Sequence, residues 1–252
     1  EIESETQANE IEDSLTKAQF KVSNVKDKQN KRSPLPPFIT STMQRAASSV
    51  LSFTPSKTMG VAQTLYEGIE LKEGIEGLIT YMRTDSTRVS KEANNKLRGF
   101  IKDNFGSKYL AEKTRYYRKS SGAQDAHEAI RPTDVNRRPK EIKKHLSPDQ
   151  YKLYKLIWDR FVATQMSEAR YRRRKIKVEA NGFVFKTSGS TLLFDGFLKV
   201  LQLKPLKDQD TDLPDDISTG DNLQLKDVDL SQHFTKPPGR YTEAGLIKKL
   251  EK

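Results

Sequence analysis

The chain has 252 residues, long enough for two modest domains, and its 45 Lys and Arg against 34 Asp and Glu leave a formal charge of +11. That excess favours phosphate-bearing partners, nucleic acid first, although a solvated basic surface carries the same sign. The absence of cysteine excludes disulfides, thiol catalysis and zinc-finger ligands, and no apolar run approaches the roughly 20 residues that cross a membrane.

Residues 17–40 read as one or two strands, with Phe20, Val22 and Val25 before the charged run Lys26 to Arg32 and the breaker Pro34-Leu35-Pro36-Pro37. Ser41 with Gln44 resembles a capping box, and Met43, Ala46, Ala47, Val50 and Leu51 recur at helical spacing. Thr54 caps a second helix with Pro55 at its first position and an apolar stripe of Met59, Ala62, Leu65, Tyr66 and Ile69. Tyr66 can stack on a base or pack in the core, and the stripe favours packing. Leu78 to Tyr81 reads as a short buried strand.

Ser90 is placed to cap a helix carrying Ala93, Leu97, Ile101 and Phe105, closed by Gly106. Ser147-Pro148 opens another, whose Tyr154, Ile157, Trp158 and Phe161 are read as core. From Ile176 the period changes to two, with Asn181-Gly182 as a hairpin turn, then Phe183, Phe185 and the run Leu192 to Leu201. A last helix runs from Thr242 with Leu246, Ile247 and Leu250 on one face.

This order predicts an α+β, multidomain fold. A mainly helical domain, residues 41–167, is inserted into a β-rich domain made of residues 1–40 and 168–232. Residues 233–252 begin a following helical domain, with Lys236-Pro237-Pro238-Gly239 as the junction. The acidic start without methionine is unlike a signal peptide, and the chain ends inside a predicted helix, so a cytoplasmic fragment is expected.

The chemistry concentrates at Tyr81-Met82-Arg83-Thr84-Asp85. If this stretch stays extended, a nucleophile, a cation and its orienting carboxylate share one side at Tyr81, Arg83 and Asp85. A phenol ordinarily titrates near ~10, so nearby positive charge is needed to favour the attacking phenolate. A guanidinium supplies that charge, and its planar fork can also bind two oxygens of a transferring phosphate. Exchanging a sugar phosphodiester for a phenolic one conserves the bond, so a cut strand can be resealed without ATP. An isolated Tyr-x-Arg more often ends a core strand. His127, beside Asp125 and Glu128, can be a general acid, a phosphate-binding imidazolium or a surface residue. Arg131, before Pro132, sits where a helix would end. Arg240 and Thr242 stand at a helix start, where exposed N–H groups favour phosphate. The basic runs Arg115 to Lys119 and Arg170 to Lys175 can add salt-sensitive phosphate contacts, though alternation along a strand turns part of the second run away.

Four blocks together carry a resemblance. Gly77 to Ser90, Gln124-Asp125-Ala126-His127-Glu128-Ala129-Ile130-Arg131-Pro132-Thr133, Arg240 to Ile247 and Leu35 to Thr42 resemble motifs of type IA DNA topoisomerases, in family order. Met82 is similar to the bacterial topoisomerase I branch, where the topoisomerase III branch usually has proline. The resemblance implies that Tyr81 forms a transient 5′-phosphotyrosine bond on single-stranded or underwound DNA, with Arg83 and His127 as its catalytic neighbours. It implies DNA contacts at Asp85, Arg131, Arg240 and Thr242. It also implies a β-rich arch that swings as a gate, and a Toprim domain holding Mg2+, whose ligands no segment here matches. The partners are then DNA and the remaining domains of the enzyme, near the bacterial nucleoid, with relaxation of negative supercoils as the activity. Topoisomerase III, reverse gyrase, or a noncatalytic DNA-binding module of the same fold are the alternatives.

Other motifs fail. His127-Glu128 lacks a second histidine for a zincin, and Ser56-Lys57-Thr58 lacks the glycines of a phosphate loop. Asp208, Asp210 and Asp212 open like an EF-hand, but Leu213 and Thr219 replace its glycine and closing glutamate. A tyrosine recombinase places its tyrosine last, whereas Tyr81 precedes His127.

Overall fold

The computed structural model describes residues 2–72, 74–117, 127–201 and 212–250. Gln124 and Asp125 of the His127 block, Arg118 and Lys119 of the first basic run, and Asp208 and Asp210 lie outside the described residues. The chain divides into two compact units. The first comprises Glu1–Arg32, Arg170–Phe194 and Leu203–Pro238, and the second Ser33–Ala169, Asp195–Gln202 and Gly239–Lys252.

The first unit is built on a sheet in the order β5-β4-β1-β6, from β1 (Phe20–Arg32), β4 (Ala169–Ala180), β5 (Phe183–Phe194) and β6 (Asn222–Leu223). The β4–β5 hairpin turns at Asn181 and Gly182, both at positive φ (45° and 81°), as a type I′ turn requires. Helix α1 (Glu5–Thr16) was not expected from the sequence, because only Ile11 and Leu15 mark an apolar face in a polar stretch. Ser4 caps it, accepting the Gln7 N–H at 3.2 Å. Leu15 then joins Phe20 and Ala180 in a small core flanked by Ile11, Ala18, Val178, Leu223 and Leu225.

Strand β4 starts seven residues before the alternation expected from Ile176. On the face continued by Ile176, Val178 and Ala180, its early positions are Arg172 and Arg174 rather than apolar residues. Arg172 and Arg174 both reach the Asp215 carboxylate, at 2.5 and 3.2 Å, and Arg174 also donates to the Ile217 carbonyl at 2.7 Å. The run Leu192 to Leu201 is not one strand. It breaks after Phe194 into a 3₁₀ turn, Gly196–Lys199, where Gly196 has φ 50°. A Cβ there would lie 2.5 Å from the carbonyl oxygens of Ser167 and Glu168, so only glycine fits.

In the second unit, α2 (Thr40–Leu51), α3 (Pro55–Glu67) and α6 (Pro148–Thr164) pack together, and α7 (Glu243–Leu250) lies against α2. A short hairpin of β2 (Ile69–Leu71) and β3 (Gly74–Glu76) follows α3; α4 (Lys91–Phe105) and the single turn α5 (Pro139–Ile142) complete it. Thr54, Ser90 and Ser147 cap their helices as the sequence predicts. The expected box at Ser41 and Gln44 lies two residues earlier, at Ile39 and Thr42: Thr42 Oγ1 accepts the Ile39 N–H at 3.0 Å, and Val50 is exposed rather than core. The aromatic face of α6 is core. Trp158 donates its indole N–H to Val135 (2.9 Å), Tyr154 its hydroxyl to Arg137 (2.7 Å), and Phe100 meets Trp158 edge to face.

Two arginines are internal fasteners. Arg115, in a run read as either phosphate contacts or a solvated face, instead donates to the Thr164 and Met166 carbonyls and closes the end of α6. Arg160 lies over the Phe38 ring, 4.7 Å from its centroid, and donates to the Pro36 carbonyl at 2.6 Å. Burial lowers its guanidinium to about 10.

Asp159, on α6, provides a test of burial. Desolvation pushes its carboxyl above the usual range against the pull of Lys155. The folded chain therefore holds that proton more tightly than the unfolded one, and stability falls as pH rises from about 3.8 through the folded value. Asp159→Asn should remove this decline. In melts from pH 3 to 7, the melting temperature of the variant minus that of the parent should rise with pH; a flat difference rules burial out as the dominant effect.

Candidate active site around Tyr81

The Tyr81 segment forms no regular strand, contrary to the sequence expectation, and it is held by hydrogen bonds to distant parts of the second unit. At its entry, the Leu78 N–H donates to Leu65 at the end of α3 (2.8 Å), and Gly77 passes so close that a Cβ would lie 2.7 Å from the Tyr66 carbonyl oxygen. Next to it runs the His127 block. Thr80 donates its N–H to the Arg131 carbonyl (2.9 Å), its hydroxyl donates to Ala129 (2.7 Å) and accepts from the Arg131 N–H (2.9 Å), and Thr133 donates its N–H to Leu78 (3.0 Å). Ile130 in turn donates to Phe38 (2.8 Å). Three of the four motif blocks thus meet here.

Beyond the tyrosine, Thr40 is the anchor. Its N–H donates to the Thr84 carbonyl (2.9 Å), its hydroxyl accepts the Thr84 N–H (2.9 Å), and its proton is shared between the carbonyls of Met82 (2.8 Å) and Thr84 (3.0 Å). The alternation expected of an extended chain survives without a strand. Met82, Thr84 and Ser86 are buried, whereas Tyr81, Arg83 and Asp85 are exposed, Tyr81 by 41%.

The Tyr81 ring touches two others: His127 at 5.9 Å and Tyr66 at 5.4 Å between centroids, the latter edge to face. His127 is therefore brought to the tyrosine as its motif implies. Tyr66 is not the core residue expected from the α3 stripe. Leu65 takes the buried place, and Tyr66, about 100° further round the helix, is 40% exposed beside Tyr81.

Arg83 makes no ion pair with Asp85 among the described residues, so the carboxylate does not orient it as the spacing suggested. Arg131 is committed elsewhere. Its guanidinium grips Glu128 through Nε (3.0 Å) and Nη2 (2.6 Å) and donates to Pro132 (3.0 Å), while Glu128 also accepts the N–H of Ser90 at the cap of α4 (2.8 Å). No helix ends at Pro132, contrary to expectation; residues 127–133 are extended chain. Thr242 caps α7 by accepting the Gly245 N–H at 3.1 Å, and Arg240 is exposed before it. No ring contact, ion pair or hydrogen bond joins these two to Tyr81 among the described residues. No group of three Asp, Glu, His or Cys side chains that could hold a metal occurs among the described residues.

Thr40 is the missed residue with the largest structural effect, and its role is testable. Thr40→Val keeps the shape but takes the hydroxyl partner from the Met82 carbonyl and the Thr84 amide, while the Thr84 carbonyl keeps the Thr40 N–H; this should cost about 1–3 kcal/mol in urea denaturation. Hydrogen exchange at the Thr84 amide should speed up more than at α6; uniform change would mean that Thr40 does not hold the segment.

Comparison with known proteins identifies the family. A family model described as DNA topoisomerase covers residues 1–252. DNA topoisomerase 1 of Campylobacter jejuni is 48% identical over 92% of this chain and 33% of its own length. That of Helicobacter pylori (strain 26695) is 43% identical over 100% of the chain and 34% of its own length. The full-length topoisomerase I structure from Thermotoga maritima superposes with a TM-score of 0.84 at 38% identity, over 99% of this chain and 39% of that one. The chain thus spans about a third of the length of the curated relatives it matches. With three of its motif blocks meeting beside one tyrosine and a family match along its whole length, the chain belongs to the bacterial DNA topoisomerase family of type IA.

Proposed function

We propose that this chain is the central, tyrosine-bearing part of a type IA topoisomerase that relaxes negatively supercoiled DNA without ATP. The observation that carries this reading is an exposed phenol, beside an imidazole and two residues from an exposed guanidinium, on a segment fixed by buried hydrogen bonds. In this reading the Tyr81 oxygen attacks a phosphorus of single-stranded DNA. The bond from phosphorus to the 3′-oxygen of the preceding nucleotide breaks, leaving the 5′ end on Tyr81. Attack by that 3′-hydroxyl on the phosphotyrosine reverses the step and frees the phenol, so bond energy is kept.

Arg83 binds the transferring phosphate and the developing phenolate, a charge that moves with the reaction and is stabilised most at the transition state. His127 contacts the backbone next to it. Asp85 lines the same exposed side, and Arg240 with Thr242 offers a helix start to a more distant phosphate. Arg131, spent on Glu128, serves by holding the stretch that carries His127 rather than by meeting DNA. The first unit is the arch, and residues 41–167 the tyrosine domain that moves with it. In this reading magnesium is held by the Toprim domain of the enzyme rather than by this segment. The enzyme works on bacterial DNA in the cytoplasm. No helix among the described residues is long and apolar enough to cross a membrane.

The test mixes the chain with a Toprim domain, single-stranded DNA and magnesium, followed by rapid denaturation. Protein attached to the 5′ end of DNA is expected, and Tyr81→Phe should abolish it while DNA binding stays within about twofold. A folded, DNA-binding mixture that yields no adduct overturns the reading in favour of a noncatalytic module.

The Tyr66 contact gives a second outcome. An edge-to-face pair contributes about 0.5–1.5 kcal/mol, so Tyr66→Ala should slow adduct formation about 2- to 10-fold with unchanged DNA affinity. Tyr66→Phe, which keeps the ring, should restore the rate. Equal rates in all three proteins would show that Tyr66 does not position the nucleophile.

A further inference from the structure

Strand β4 carries six cations between Arg170 and Lys177, and the sheet divides them by face. The even-numbered ones are neutralised or covered. Arg172 and Arg174 share Asp215, Arg174 also approaches Asp27 at 3.8 Å, and Arg170 lies over the Phe194 ring at 5.1 Å. Side chains alternate along a strand, so Arg173, Lys175 and Lys177 stand on the opposite face. Among the described residues these three side chains make no hydrogen bond or ion pair. The register adds a fourth cation, because Lys186 of β5 lies directly opposite Lys177, with Ser188 opposite Lys175 and Ser190 opposite Arg173. Lys175, Lys177 and Lys186 are exposed and Arg173 is half-buried.

Two ordinary explanations fail. Lysines commonly protect an edge strand from pairing with another chain, but in the order β5-β4-β1-β6 three of these four cations lie on an internal strand. Nor does the arrangement serve stability, since like charges directly opposite each other destabilise a sheet.

We propose that this face of the β4–β5 hairpin is a second binding surface for DNA, separate from Tyr81, that holds a strand by its phosphates. The proposal rests on DNA as the substrate. Successive cations on one face are about 6.6–6.8 Å apart, matching two stacked nucleotides at about 3.4 Å of axial rise each. The adjoining Ser188 and Ser190 hydroxyls can donate to phosphate oxygens. Between the Tyr171–Leu192 pair at one end and Glu179–Val184 at the other, the face carries no aromatic ring on which a base could stack. It therefore meets the backbone and ignores sequence.

The experiment measures binding of the full chain to a fluorescent single-stranded oligonucleotide from 50 to 300 mM salt. The combined variant Arg173→Gln, Lys175→Gln, Lys177→Gln, Lys186→Gln should weaken binding by about 10-fold or more at the lowest salt, and flatten the log–log salt slope by about 2 to 3. Its melting temperature should not fall, because the Lys177–Lys186 repulsion is gone. A charge-matched control, with Lys17, Lys102, Lys152 and Lys226 changed to Gln, should shift the slope by less than about 1. Equal shifts in both variants, or none in the first, overturn the proposal. Polyglutamate of equal charge should bind the parent at least about 10-fold more weakly; equal binding reassigns the face to acidic proteins. Tyr81→Phe should keep the full slope, so a failure of the tyrosine chemistry and a failure of this surface read out separately.

Discussion

A stretch that is neither helix nor strand keeps one shape only if its backbone groups find partners elsewhere. For residues 77–86 those partners are the end of α3, the extended chain from Ala129 to Thr133, and above all the Thr40 hydroxyl, which meets Met82 and Thr84 at once. The exposure of Tyr81 and Arg83 depends on it. With Met82, Thr84 and Ser86 drawn inward, the alternate side chains have only one direction left. Gly77 closes the arrangement from the other end, where the chain comes too near the Tyr66 carbonyl for any side chain.

The charge of +11 is not a uniform attraction for phosphate. Arg115, Arg131, Arg160, Arg172 and Arg174 are spent on carbonyls, carboxylates or a ring inside the structure. Arginine suits this work because its fork satisfies several acceptors while its stem packs. Arg83 and the cations on the outer face of β4 are not so engaged. Composition counted both classes alike, and only the register and the burial pattern separate them.

The parts of the fold legible in the sequence are those whose signals are local. Thr54, Ser90 and Ser147 cap their helices, and Asn181-Gly182 turns a hairpin, because each effect acts within four residues. The side-by-side exposure of Tyr81, Arg83 and Asp85 was also legible, since period two follows from any extended backbone. Where the partner is remote, the sequence was silent or misleading. The first half of β4 hides arginines inward because Asp215, more than 40 residues on, pairs with them. Helix α1 stays folded against a core whose other members are Phe20 and Ala180. Tyr66 fitted an apolar stripe, yet its ring follows the approach of a chain segment that the stripe does not contain.

The bonds that hold the Tyr81 segment also impose an order on its assembly. Thr80 is tied to Arg131, 51 positions later in the chain. At about 5–20 residues per second, a ribosome makes that partner roughly 3–10 s after the tyrosine itself. Closing such distant contacts is slow compared with forming α2 or α3, whose bonds are local. The Tyr81 side chain therefore acquires its fixed position only after Arg131 has been made, and a nascent chain displays the tyrosine before its segment is held.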